Sequence, residues 1–155
     1  LCAGADDRIR KYCISAIDRL NDPRHLQLLF KLANDGNYYV RERAFEALGD
    51  PAFREAIPLL VPYLKDEKSK YMAQWAIVDI GGTEATVVLI NELEQGNTVG
   101  NTIFQALNKL TGQEFKTRAE WLKWWQEQRK TDVSVEDRRE QTDILAQNNF
   151  SACYR

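Results

Sequence analysis

Apolar residues recur along this chain in a nine-residue pattern, apolar-Arg-x-x-Ala-x-x-Ala-Leu, whose copies begin at residues 9, 40, 72 and 99 and erode toward the C-terminus. The clearest copy is Val40, Arg41, Ala44, Ala47 and Leu48, closed by Gly49; an earlier one reads Ile9, Arg10, Cys13, Ala16 and Ile17. Two later ones read Met72, Ala73, Ala76, Asp79 and Ile80, closed by Gly81, and Val99, Gly100, Ile103, Ala106 and Leu107. The apolar and small positions fall on one stripe of an α-helix, and the small ones let a neighbouring helix approach closely. A fixed period of this size marks stacked helical pairs, because no single pair buries its apolar face alone.

A second apolar helix follows each copy. Leu28, Leu29 and Leu32 correspond to Leu59, Leu60 and Tyr63 in the next unit and to Val88 and Leu89 in the third, with Leu26 and Ile57 as a parallel series. These positions define the expected core side of the second helices. The spacing predicts helices over about 6–20, 22–34, 38–49, 52–65, 69–80, 83–95, 98–111 and 117–129. Pro58 and Pro62 fall inside the fourth, where a missing N–H and a ring clash call for a kink or a late start. Ala44, Ala76 and Cys13 are expected at close helix contacts.

The Val40–Gly49 segment, the Asp35 and Asp66 turns and the Leu-rich second helices together resemble HEAT-like repeats, of the short bacterial kind labelled phycobilisome-lyase-like, over residues 6–128. The resemblance implies an all-α, right-handed α-solenoid of about four antiparallel helix pairs with a C-terminal tail. Its units would span about 6–35, 36–66, 67–96 and 97–130 within a domain over 1–130, followed by a tail over 131–155 that is either a docked helix or a linker. Activity does not follow, because this scaffold serves many unrelated tasks.

Composition changes the picture little. With 155 residues and 44% hydrophobic content the chain fits one soluble helical domain. A net charge of -2 with both signs mixed gives no electrostatic case for nucleic acid or an anionic membrane. No stretch is long enough for membrane insertion. Leu1-Cys2-Ala3-Gly4-Ala5 reads in two ways. As the remnant of a preceding helix in a longer array it goes with a cytoplasmic address. As the small-residue end of a secretory signal it goes with an extracytoplasmic one. The repeat pattern favours the first.

Candidate chemistry is sparse. The single histidine, His25, sits on the core side of its helix in register with Ala56, as a partly buried, hydrogen-bonded residue rather than a ligand. One histidine also excludes the paired His-Glu metal sites of hydroxylases built on this fold. Cys2, Cys13 and Cys153 lack metal-ligand spacing, and Cys13 occupies the small core position of Ala44 and Ala76. No phosphate-cradling loop or nucleophile elbow occurs, so no catalytic residue, metal or cofactor is assigned. Asp79 replaces the Ala47 position and calls for a neighbouring Lys or Arg, or for a local polar gap. Trp121, Trp124 and Trp125 share one face of the last helix, reading as a terminal cap or, alternatively, as a ligand platform.

The expected binding surface lies on the second helices. Opposite their core stripe stand Phe30, Val61 and Ile90, one apolar column through three repeats, flanked by Arg54, Pro58 and Val87; it reads as an interaction surface or, alternatively, as second helices buried more widely between two neighbours. The function read from this column is a non-enzymatic scaffold holding a protein or peptide partner, with no nucleic acid expected and the oligomeric state left open. The alternative is an enzyme, since the fold also resembles bilin lyases and alkylpurine DNA glycosylases. The glycosylase reading needs a basic inner face, and that face carries only Arg54 and Lys65 against Glu94.

Overall fold

The computed structural model describes residues 6–20, 22–96 and 102–130, and among these every regular element is helical. Helix α1 (Asp7–Leu20) starts where the Asp6 carboxylate accepts the Arg8 backbone N–H at 3.1 Å. A 3-10 turn over Pro23–His25 leads into α2 (Leu26–Ala33). Helix α3 (Tyr38–Leu48) is capped by Asn37, whose side-chain oxygen accepts from the backbone N–H groups of Tyr39 and Val40 at 2.9 and 3.4 Å. Such a cap satisfies donors that the first helical turn leaves unpaired.

The next second helix is broken, as its prolines demand. Only α4 (Ile57–Leu60) is α-helical, between 3-10 segments over Pro51–Ala56 and Val61–Lys65, and Phe53 leaves helical geometry at φ -97, ψ 38. Helices α5 (Lys70–Ile80) and α6 (Gly82–Glu94) meet at Gly81 and Gly82, whose φ of 74 and 81 place both in the left-handed region that favours glycine. Helix α7 spans Thr102–Thr111, and α8 covers residues 118–130. The start of the fourth motif copy, Val99-Gly100, and the tail over 131–155 lie outside the described residues.

The chain forms two compact units, Leu1–Glu114 and Phe115–Arg155, so the boundary falls inside the segment read as the fourth repeat. In the first unit α3 packs against α1, α2 and α5, and α5 packs against α7, which makes the first helices of successive pairs neighbours. Their motif residues form the core: Val40, Ala44, Ala47, Leu48, Ala73, Ala76, Ile80, Ile103, Ala106 and Leu107 are all buried. No helix of the described residues is long and apolar enough to cross a membrane.

The core departs from expectation in three places. On α1 the motif residues Ile9 and Ala16 are exposed and Cys13 is half-buried, while Ile14 and Ile17 carry the packing. Among the described elements α1 packs chiefly against α3, so its motif face lacks the second neighbour that α3 has. Cys13 is moreover disulfide-bonded rather than a free buried thiol, and Cys2 and Cys153 both lie outside the described residues. In the second helix pair Leu59 is 51% exposed and Leu60 0%. The 3-10 segments around the prolines turn the chain faster per residue than an α-helix, so the stripe extrapolated from α2 misses Leu59. His25 is half-buried, but its Nδ1 has no hydrogen-bond partner.

Candidate functional site

The expected column on the second helices is not one surface. Ile90 is 0% exposed. Helix α6 packs against both α5 and α7 and buries Ala85, Thr86, Leu89, Ile90 and Leu93, an arc wider than a single stripe. Phe30 is half-buried and stacks on Tyr63 at 6.1 Å, while Tyr63 meets Phe45 edge-on at 5.3 Å. Phe30 therefore joins the aromatic packing between successive helix pairs. Val61 and Val87 are half-buried, and only Arg54 and Pro58 are exposed.

The first helices carry a different feature. A groove of about 270 Å³ runs between α3 and α5. Helix α3 lines it with Tyr38, Glu42, Phe45 and Glu46, and α5 with Tyr71, Met72, Trp75, Ala76 and Asp79. The spacing is helical on both sides, so each helix presents one stripe to the groove. Tyr38, Tyr71 and Trp75 remain exposed although they are large and aromatic, and Tyr39 stands exposed beside them. Clustered exposed rings around a concavity are the compositional mark of an interaction surface.

The ionisable groups of this groove that carry charge near neutrality are all acids. The Tyr38 hydroxyl donates to Glu42 Oε1 at 3.1 Å, and that carboxylate raises the Tyr38 phenol above its ordinary value. Glu46 pairs with Arg43 on its own helix at 2.6 Å. Asp79 receives Lys109 Nζ from α7 at 2.7 Å, and the same ammonium stands 5.5 Å from the centre of the Trp75 ring. The neighbour that Asp79 called for is therefore Lys109. Lys11 over Tyr39 at 4.9 Å and Lys70 over Tyr71 at 5.4 Å repeat the cation-on-ring arrangement nearby.

A second, more polar cavity of about 440 Å³ lies at the turns between successive helix pairs, bounded by Asp35, Arg41, Tyr63, Asp66 and Ser69 among others. Its polar groups are largely engaged in holding the turns. Arg41 Nη1 donates to the carbonyls of Asp35 and Gly36 at 2.9 and 3.1 Å. Arg10, one unit earlier in the motif, reaches Asp35, with Nη2 donating to Oδ1 at 3.0 Å and Nε 2.7 Å from Oδ2. Of those two contacts only the first has hydrogen-bond geometry. Arg10 thus ties the first helix pair to the turn that starts the second, and Arg41 holds the same turn from the helix that follows it.

The second unit is an aromatic cluster on a capped helix. Trp121 is buried, with Phe115 edge-on at 5.0 Å and Trp124 edge-on at 5.7 Å. Thr117 and Glu120 form a capping box: Glu120 donates its N–H to Thr117 Oγ1 at 3.3 Å, and its Oε2 accepts the Thr117 N–H at 2.9 Å. The Thr117 hydroxyl, donating to Oε2 at 2.8 Å, together with the Lys116 N–H at 3.1 Å and the Thr117 N–H, holds the Glu120 carboxyl below its ordinary range. The Thr-x-x-Glu signature was readable in the sequence and marks where α8 begins. Among the described residues no group of three or more His, Cys, Asp or Glu could hold a metal ion.

No curated protein and no solved structure matches the chain. A family model described as HEAT repeats matches residues 1–81, which include the α1 and α3 copies of the motif, the Asp35 turn and α5. With packed helical pairs, small motif residues buried between first helices and more than half of the sequence matched, the chain belongs to the HEAT-repeat family.

Proposed function

We propose that this chain is a right-handed solenoid of helix pairs that acts as a non-enzymatic scaffold and holds a protein or peptide partner in the α3–α5 groove. HEAT repeats commonly serve as protein-interaction scaffolds. The observation that carries the reading is the groove itself, where Tyr38, Tyr71 and Trp75 stay exposed around a concavity. Burial of such rings against a partner supplies contact area at low conformational cost. Three carboxylates line the same groove, which has the wrong sign for a phosphate backbone.

A second reading keeps the partner on the second helices, favoured by exposed Leu59 beside exposed Arg54 and Pro58. Photo-crosslinking separates the two. A benzophenone amino acid at Tyr71 should yield a partner adduct from a lysate of the source organism, and the same group at Pro58 should not. Adducts from Pro58 alone would move the site to the second helices, and none from either position would contradict both.

A further inference from the structure

We infer that the α3–α5 groove receives a basic side chain, so that the partner is a peptide segment bearing Lys or Arg next to an apolar residue. This rests on the groove being the partner site and names the chemistry it selects. Glu42, Glu46 and Asp79 line the groove, while Arg41, Lys70 and Lys109 stand over the rings of Tyr38, Tyr71 and Trp75 from outside that lining. Ring faces beside carboxylates hold a cation twice over, through the ring quadrupole and through the opposite charge.

Lys109 already displays this recognition at one end. Its ammonium sits on Asp79 at 2.7 Å and over Trp75 at 5.5 Å, arriving from α7 as a cation supplied by the protein itself. Both side chains of that pair are more than half exposed, as are those of Arg43 and Glu46. Exposed ion pairs of this kind contribute little, so an incoming cation exchanges with them readily. The groove floor is apolar, with Phe45 and Ala76 buried and Met72 half-buried. It fits the aliphatic stem of Lys or Arg, or an adjacent apolar residue, while the charged head meets the acids at the rim. An acidic segment would meet like charge.

The test is panning of a random octapeptide library on the full chain, followed by affinity measurement of the best binder. The expected sequences carry Lys or Arg beside an apolar residue. Their affinity should fall about tenfold in a Glu42→Gln/Glu46→Gln variant and weaken with added salt. It should rise in Lys109→Met, which frees Asp79 and Trp75, a gain that a merely structural role for Lys109 does not produce. Circular dichroism verifies that each variant is folded. Binders without basic residues, or a basic binder indifferent to Glu42→Gln/Glu46→Gln, would overturn the inference. Tyr71→Ser and Trp75→Ser then separate the two levels: lost binding keeps the groove and sinks only the basic partner, whereas unchanged binding sinks both. A library that yields no binder also sinks both.

Discussion

Gly49 closes α3 so near to α5 that a Cβ placed on it would stand 3.3 Å from Ala76 Cα and 3.3 Å from Asp79 Cβ. Its φ of -76 is ordinary for any residue, so the glycine serves space rather than backbone freedom. The close approach it permits is what brings α3 and α5 into contact and sets the floor of the groove between them. Gly49→Val should overpack this contact, cost about 1–3 kcal/mol and lower the melting temperature. An unchanged melting temperature would show that the two helices separate freely.

Leu59 and Leu60 are neighbours with opposite surroundings, 51% and 0% exposed. Leu60→Ala should cost about 2–5 kcal/mol in denaturant unfolding, because it opens a cavity. Leu59→Ser should stay within about 0.5 kcal/mol of the parent. Equal losses would mean that the 3-10 segments around Pro58 and Pro62 are placed wrongly.

Asp35 joins α1 to the turn that precedes α3. It accepts from Arg10 and from the Asn37 backbone N–H at 2.8 Å, and its side chain is 13% exposed against 17% for that of Arg10. Asp35→Ala would remove the ion pair to Arg10 and the acceptor of a turn N–H, and should destabilise by about 1.5–3 kcal/mol. Arg10→Met retains the stem and removes the charge, so a double variant should lose less than the sum of the two singles. Additive losses would show that the pair is not coupled.

Asp22 offers a pH test. Its carboxylate accepts from Arg24 Nε at 2.8 Å and from the Arg24 backbone N–H at 2.9 Å, which depress its pKa to about 2. A carboxyl depressed in the folded state contributes stability above its unfolded pKa and loses it as pH falls through about 2. Asp22 is half-buried but its Arg24 partner is exposed to solvent, so the global effect is small and the measurement is local. Its carboxyl carbon resonance should titrate with a midpoint of about 2, and Arg24→Ala should return it to the ordinary carboxylate range. A midpoint already in that range would contradict the contact.

The helices were legible because the motif repeats with small residues at fixed positions, and Ala44, Ala47, Ala76 and Ala106 are buried as that register requires. The surface of the second helices was not. Extrapolating one stripe assumes uniform α-helical rotation, which the proline-flanked 3-10 segments break at Leu59. It also assumes one covered face, which α6 violates at Ile90 by packing on both α5 and α7. The groove went unseen because its aromatics occupy positions outside the motif. Tyr39 and Tyr71 each precede the first motif residue of their unit, a register coincidence that pointed to a shared exposed face. Asp79 was visible as an anomaly, but its partner Lys109 lies a whole unit further along.

Nuclear magnetic resonance mapping of the best library peptide on the isotope-labelled chain measures the location of binding directly. The expected result is amide shifts concentrated on Tyr38, Glu42, Tyr71, Trp75 and Asp79, with the Trp75 indole N–H among the most displaced. Shifts concentrated instead on Arg54, Pro58 and Leu59, with the α3 and α5 residues unmoved, would place the partner on the second helices and contradict the groove.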